Sequence, residues 1–309
     1  MHSPHRRAPL SSFALAIAAL AATWLASPAA APIDPGAAQR QSRERDVFVT
    51  VTTNDGTPVT DVRPQEFVIR EDGIRREVLA ARPAAEPMTI ALLVDNSQGS
   101  EPHLADIRRA LKTFIEEMGG THSIALTTVA DRPTILADYT TDKKALLAAA
   151  ERIFPIPGSG STFLEGLREL SKGLAGRPAD RAAIVAITTE GPEVSDRHFS
   201  QVLPTLRTSG ASLEVLVVTR PGGADLADEG ARNRAFLIDA GSRETGGARV
   251  DLLTSMGLEP ALQRLAAQLN HQYRVTYARP DSLVPPEKLT VTVTRAGLTA
   301  RGTPLRTIG

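Results

Sequence analysis

Asp95, Ser97, Thr162 and Glu190 are the residues of this chain whose types and placing best suit chemistry. Asp95-Asn-Ser97 ends the apolar run Met88-Thr-Ile-Ala-Leu-Leu-Val and precedes a helical pattern through Leu104, Ile107, Leu111, Phe114, Ile115 and Met118. A carboxylate and a hydroxyl two residues apart, between strand and helix, place oxygen atoms at the carboxyl edge of a sheet. Open α/β folds bind ligands there. Gly158-Ser-Gly-Ser161-Thr162 leads into a helix through Phe163, Leu164, Leu167 and Leu170. Ala182-Ala-Ile-Val-Ala-Ile187-Thr-Thr is a second buried strand, and it ends in Glu190-Gly191.

Each residue also has a plain structural reading. Thr162-Phe-Leu-Glu165 has the spacing of a capping box, worth about 1 kcal/mol to the helix it starts. Asp95, Asn96 and Ser97 could turn the chain and satisfy open helix N–H groups. Glu190-Gly191-Pro192 could be a strand-exit turn.

Taken in order, the three segments resemble the von Willebrand factor A domain and its metal-ion-dependent adhesion site. That family has Asp-x-Ser-x-Ser after its first strand, a Thr in mid-domain and an Asp-Gly after its fourth strand. The resemblance covers Glu86 to His271 and implies a magnesium site completed by an acidic side chain of a protein partner. Asp95, Ser97 and Thr162 match the pattern. Gly99 stands where the second Ser is expected, and Glu190 where the Asp is expected. Magnesium tolerates misplaced ligands poorly. Gly99 offers no side-chain oxygen, Ser100 is one residue off register, and Glu190 is a methylene too long. The expectation is weak magnesium binding or none.

The elements that must carry these residues are legible around them. Long apolar runs without alternation mark strands buried on both faces of a parallel sheet. Ser123 to Val129 and Thr134 to Tyr139 read as paired strands, and Leu213 to Val218 as another. Asp142 to Ile153 reads as a helix, as does Asp196 to Thr208 with Ser195 as N-cap. Leu258, Leu262, Leu265 and Leu269 mark a final amphipathic helix. Arg220 to Glu229, rich in Gly and Asp, is expected to be a mobile loop near the site.

Both ends have a different texture. Val47 to Thr52 alternates as a strand, Asn54-Asp55-Gly56 signals a turn, and Glu66 to Arg70 and Arg76 to Leu79 flank the hairpin signal Glu71-Asp72-Gly73. Tyr273 to Tyr277 and Leu289 to Thr294 are strands separated by a Pro280 to Pro286 loop. Small sheets need a partner layer. The expected fold is therefore α/β, a doubly wound, mostly parallel sheet inserted in a small β-sandwich built from the two ends. The layout is similar to that of bacterial secreted von Willebrand factor A-related proteins, through Asp55-Gly56, Phe67-Val-Ile-Arg-Glu71-Asp-Gly73 and Gln272-Tyr273 to Tyr277. The expected divisions are 1–31 signal peptide, 32–44 leader, 45–84 and 273–309 sandwich, and 86–272 the A-like domain.

His5, Arg6 and Arg7 precede an apolar stretch from Leu10 to Ala26 and small residues to Ala31, a signal-peptide pattern. Cleavage after Ala29 or Ala38 and retention as an N-terminal anchor both remain open. No later segment is apolar and long enough for a transmembrane helix. The chain is expected to be secreted, periplasmic or in the cell envelope. It has no cysteine, hence no disulfide and no thiol nucleophile. Lys plus Arg and Asp plus Glu are 35 each, which removes a global attraction to nucleic acid. No phosphate-binding loop, nucleophile elbow or paired His ligands appear. The reading is a non-enzymatic protein-binding module. The alternative is a structural or assembly protein of the envelope in which the site is vestigial.

Overall fold

The computed structural model describes residues 44–219, 228–279 and 288–304. The signal segment, nearly all of the leader and the Pro280 to Pro286 loop lie outside the described residues, as does 220–227 of the expected mobile loop.

The central sheet holds β5 (Met88–Asp95), β6 (Ser123–Val129), β7 (Pro133–Thr140), β8 (Arg181–Thr189), β9 (Ala211–Val218) and β10 (Ala248–Leu252). Its spatial order is β10-β9-β8-β5-β6-β7, parallel except for β7. Sequence-adjacent strands run outward from β5 on one side and from β8 on the other. The crevice between the carboxyl ends of β5 and β8 is thus the topological switch point.

Helices cover both faces. Ile90, Leu92 and Val94 pack with α1 (Leu104–Met118), α2 (Lys143–Glu151) and α6 (Leu258–Asn270). Ala91 and Leu93 point the other way, to α3 (Phe163–Ala175), α4 (Phe199–Ser209) and α5 (Glu229–Thr245). Alternate side chains of β5 serve two different cores, which is why its run is continuously apolar.

The chain ends form two antiparallel sheets. One has the order β13-β1-β11-β4, from β13 (Leu298–Pro304), β1 (Glu44–Thr53), β11 (Tyr273–Ala278) and β4 (Val78–Pro83). The other is β12-β2-β3, from β12 (Leu289–Val293), β2 (Phe67–Glu71) and β3 (Ile74–Arg76). Val47, Val49 and Val51 meet Phe67, Ile69, Tyr273, Val275 and Val291 in one core. The Asp72-Gly73 turn has φ of 49° and 81°, the left-handed pair that a two-residue hairpin requires. Buried Arg181 joins the two units. Its guanidinium donates to the carbonyls of Glu86 and Leu269, both at 2.6 Å, and to Gln272 Oε1 at 3.0 Å.

Two local expectations change. The hairpin's second strand is Ile74–Arg76, and the chain then crosses to the other sheet as β4 instead of continuing to Leu79. Helix α4 starts at Phe199 with His198 as N-cap, closed by Gln201, not at Asp196 with Ser195. Ser195 serves α3 instead, as its hydroxyl accepts the Leu164 N–H at 3.2 Å.

Candidate functional site

Asp95 is the last residue of β5 and is fully buried. Its Oδ1 accepts the Ser97 N–H at 2.9 Å. Its Oδ2 accepts from the Thr188 hydroxyl (3.3 Å), the Thr189 N–H (3.3 Å) and the Thr189 hydroxyl (3.2 Å). The end of β8 thus fixes the carboxylate, and the carboxylate fixes the turn carrying Ser97. Hydrogen bonds to an ionised group are the stronger kind and hold geometry well.

The loop before α3 is tied to the same place. Asn96 donates its N–H to the Val129 carbonyl at 3.2 Å, and Thr162 donates to the next carbonyl, Ala130, at 2.9 Å. Gly158 N–H reaches Gln98 Oε1 at 2.9 Å. Ser161 pairs with the segment after β8, donating to the Pro192 carbonyl at 2.8 Å and accepting from Val194 N–H at 2.9 Å. The loop before α3 therefore meets the ends of β5, β6 and β8 around Asp95, Ser97 and Thr162.

The hydroxyl oxygens of Ser97, Ser161 and Thr162 are buried and have no hydrogen-bond partner, and neither does Asn96 Oδ1. Buried polar atoms are nearly always satisfied by protein, water or a bound ion, so these four oxygens call for a partner. Thr162 makes no side-chain cap to α3, and Glu165 Oε2 is itself unpartnered. The capping box read from the spacing is not formed: Thr162 Oγ1 takes no helix N–H, and the Leu164 N–H goes to Ser195.

Glu190 follows Thr189 directly after the end of β8. It lines an adjoining groove of about 400 Å³ with Gly99, His103, Val218, Leu253 and Ser255. Its N–H continues the sheet to the Val218 carbonyl at 3.3 Å. Gly99 packs directly on the backbone that follows Glu190. A Cβ at 99 would stand 3.3 Å from both Gly191 Cα and Thr189 Oγ1. The Ser100 hydroxyl donates to the Ser97 carbonyl at 2.8 Å and is committed there.

As a donor set for a divalent cation, Asp95, Ser97 and Thr162 fit, since two of them bring oxygens that nothing else uses. Glu190 would serve from the groove side. Among the described residues no three His, Asp or Glu side chains gather at one point, so a cation would depend on the hydroxyls.

Several contributors carry no local sequence signal. Thr188 and Thr189 hold Asp95, and Ser161 adds an orphan oxygen beside Thr162. Glu193 and Arg234 form a buried ion pair at 3.8 Å, 41 positions apart in the chain. Arg234 also donates to the Gly191 carbonyl at 2.8 Å, which anchors the Glu190 turn. Burial pushes the Glu193 carboxyl up to about 7, the Asp95 charge adds to that, and the Ser195 hydroxyl and Arg234 oppose it.

Residues 90–192 match the von Willebrand factor type A domain family. Among solved structures, proximal thread matrix protein 1 from the mussel byssus is 14% identical, with a TM-score of 0.51 over 65% of this chain and 51% of that one. The chain thus spans about half of that protein. A von Willebrand factor type A protein from Catenulispora acidiphila is 12% identical, with a TM-score of 0.47 over 85% of this chain and 72% of that one. BatB from Bacteroides thetaiotaomicron is 15% identical, with a TM-score of 0.45 over 59% of this chain and 98% of that one. No curated protein matches the chain.

Proposed function

We propose that this chain, whose residues 90–192 match the von Willebrand factor type A domain family, is an exported, non-enzymatic module. It captures a protein partner at the carboxyl edge of β5 and β8. Asp95, Ser97 and Thr162, with Glu190 from the groove side, would hold a divalent cation weakly. A carboxylate of the partner would complete the coordination. The observation that carries this is the pair of orphaned hydroxyls of Ser97 and Thr162 beside the Asp95 carboxylate. An unsatisfied buried hydroxyl costs about 1–3 kcal/mol, and a bound cation would remove that cost. Export is supported by the basic and apolar N-terminal pattern.

One observation favours the second reading, an envelope structural or assembly protein with a vestigial site. Gly99 supplies no oxygen, and its contact with Gly191 closes the space a serine would use. The two readings separate in magnesium and manganese calorimetry on the mature chain, on Asp95→Asn, and on Gly99→Ser with Glu190→Asp. Weak binding is expected, lost in Asp95→Asn and strengthened in the double variant if the Gly191 backbone yields a few tenths of an ångström. Binding indifferent to Asp95→Asn would sink the site. No binding in any of the three would favour the vestigial reading, and tight binding by the unmodified chain would overturn the expected cost of Gly99 and Glu190.

A further inference from the structure

Helix α5 has two faces of unlike character. Leu237, Ile238 and Gly241 are buried on one. Glu229, Arg232, Asn233 and Phe236 recur at helical spacing on the other. With His198 and Phe199 at the start of α4 they line a groove of about 270 Å³. This groove shares no lining residue with the one that holds Gly99 and Glu190.

Three of the six residues form an aromatic stack. The ring centroids of His198 and Phe199 are 4.2 Å apart and those of Phe199 and Phe236 4.1 Å, with the planes tilted by 41° and 40°. Phe199 packs on the core, whereas Phe236 is 50% exposed. A ring locked against its neighbour is ordered before any ligand arrives, which lowers the entropic cost of binding. The polar groups are set for hydrogen bonding. His198 Nδ1 accepts the Ser200 N–H at 3.4 Å as the cap of α4, which leaves Nε2–H as the donor of the neutral ring. The Glu229 carboxylate and the Asn233 amide enter no side-chain hydrogen bond among the described residues. Glu229 and Arg232 bring opposite charges to the groove, so its lining favours neither an anion nor a cation.

We propose that this groove is a saccharide subsite that takes one neutral hexose unit, with the C–H face of the sugar ring on Phe236 and its hydroxyls on His198, Glu229 and Asn233. A hexose answers both halves of the lining. Its ring face is apolar, and each hydroxyl both donates and accepts. An apolar side chain of a protein would strip water from Glu229 and Asn233 and put nothing in its place. The volume is just below the roughly 300 Å³ at which drug-sized pockets begin, which suits a single sugar ring.

The subsite does not depend on the cation reading, and its test keeps the two apart. Cellotriose, chitotriose and mannotriose are titrated into the mature chain in excess chelator and followed by NMR. Sorbitol and N-acetylphenylalaninamide serve as controls. At least one trisaccharide should shift the amide signals of His198, Phe199 and the first two turns of α5, with a Kd of about 1 mM. Sorbitol, which has the hydroxyls without a ring face, should bind at least about tenfold more weakly. Phe236→Ala should weaken the trisaccharide about tenfold through the lost ring contact. Asn233→Ala should weaken it about fivefold. Both positions lie on the outward face of α5, so Tm should hold in each variant. Asp95→Asn should leave the affinity unchanged. No shift with any of the three saccharides, or an affinity that survives Phe236→Ala, would overturn the subsite. Loss of binding in Asp95→Asn would overturn it as well, by placing the sugar at the cation crevice. N-acetylphenylalaninamide binding more tightly than every saccharide would mark a protein contact and overturn it too.

Discussion

Replacing Thr162 by Val separates the two accounts of that residue by the sign of one measurement. Valine keeps the shape of threonine and deletes the hydroxyl. If Thr162 capped α3, the loss would cost about 0.5–2 kcal/mol. The structure gives its Oγ1 no partner, and Ser195 caps Leu164 N–H. The backbone bond from Thr162 N–H to Ala130 stays intact in the variant. An unpaired buried hydroxyl carries a desolvation cost of about 1–3 kcal/mol, and part of it is relieved when the group is removed. In a chelator, Thr162→Val should therefore be neutral or more stable by about 1 kcal/mol. For a domain of this size that is a rise in Tm of about 2–4 °C. The assay is urea and thermal unfolding in excess chelator, repeated in excess magnesium. Magnesium should stabilise the native chain by mass action and leave the variant unmoved. A loss of 1 kcal/mol or more in chelator would show that the hydroxyl is a cap after all, and the orphaned-oxygen argument would fall.

Two further outcomes follow from packing. Glu193 is raised from 4.5 to about 7 by burial. Its protonated form is the one the fold favours, so its contribution to stability is full below about pH 4.5 and is lost as pH rises through 7. The loss is on the order of 3 kcal/mol, and Glu193→Gln should flatten the stability profile between pH 5 and 8 in urea melts. A slope unchanged in the variant would assign the pH dependence to other groups. Deleting residues 273–309 removes β11 and β13, the strands on both sides of β1. That should expose Val47, Val49 and Val51 and drive aggregation in light scattering; a soluble, monomeric truncated chain would contradict the shared sandwich.

Much of the architecture was legible because burial writes itself into the sequence. β5, β8 and β9 are buried almost throughout and largely apolar, since each feeds helices on both faces. The alternating ends predicted a sandwich, and Val47 and Val291 do meet in one core. β10 and α5 left little trace for a physical reason. β10 is an edge strand with no fully buried residue. Helix α5 buries small or polar residues such as Gly241, Ser242, Thr245 and Arg234, so it lacks the aliphatic stripe that marks an amphipathic helix.

The site was legible in chain order, not in its supports. Asp95, Ser97 and Thr162 stand at strand and helix ends that local patterns could locate. Thr-x-x-Glu at 162–165 matched a capping box by spacing alone. Spacing cannot report that Ser195, 31 positions beyond Leu164, takes the N–H first. Gly99 is the most telling case. A glycine in place of the serine the resemblance leads one to expect could leave a gap there. Here the backbones of Gly99 and Gly191 lie against each other, Thr189 fills the remaining side, and Thr189 also holds Asp95. Position 99 is closely packed beside a carboxylate that is held in place. Weak cation affinity is then expected from packing as well as from ligand count, and on the proposed reading it would rest on Asp95, Ser97 and Thr162, with Glu190 from the groove side.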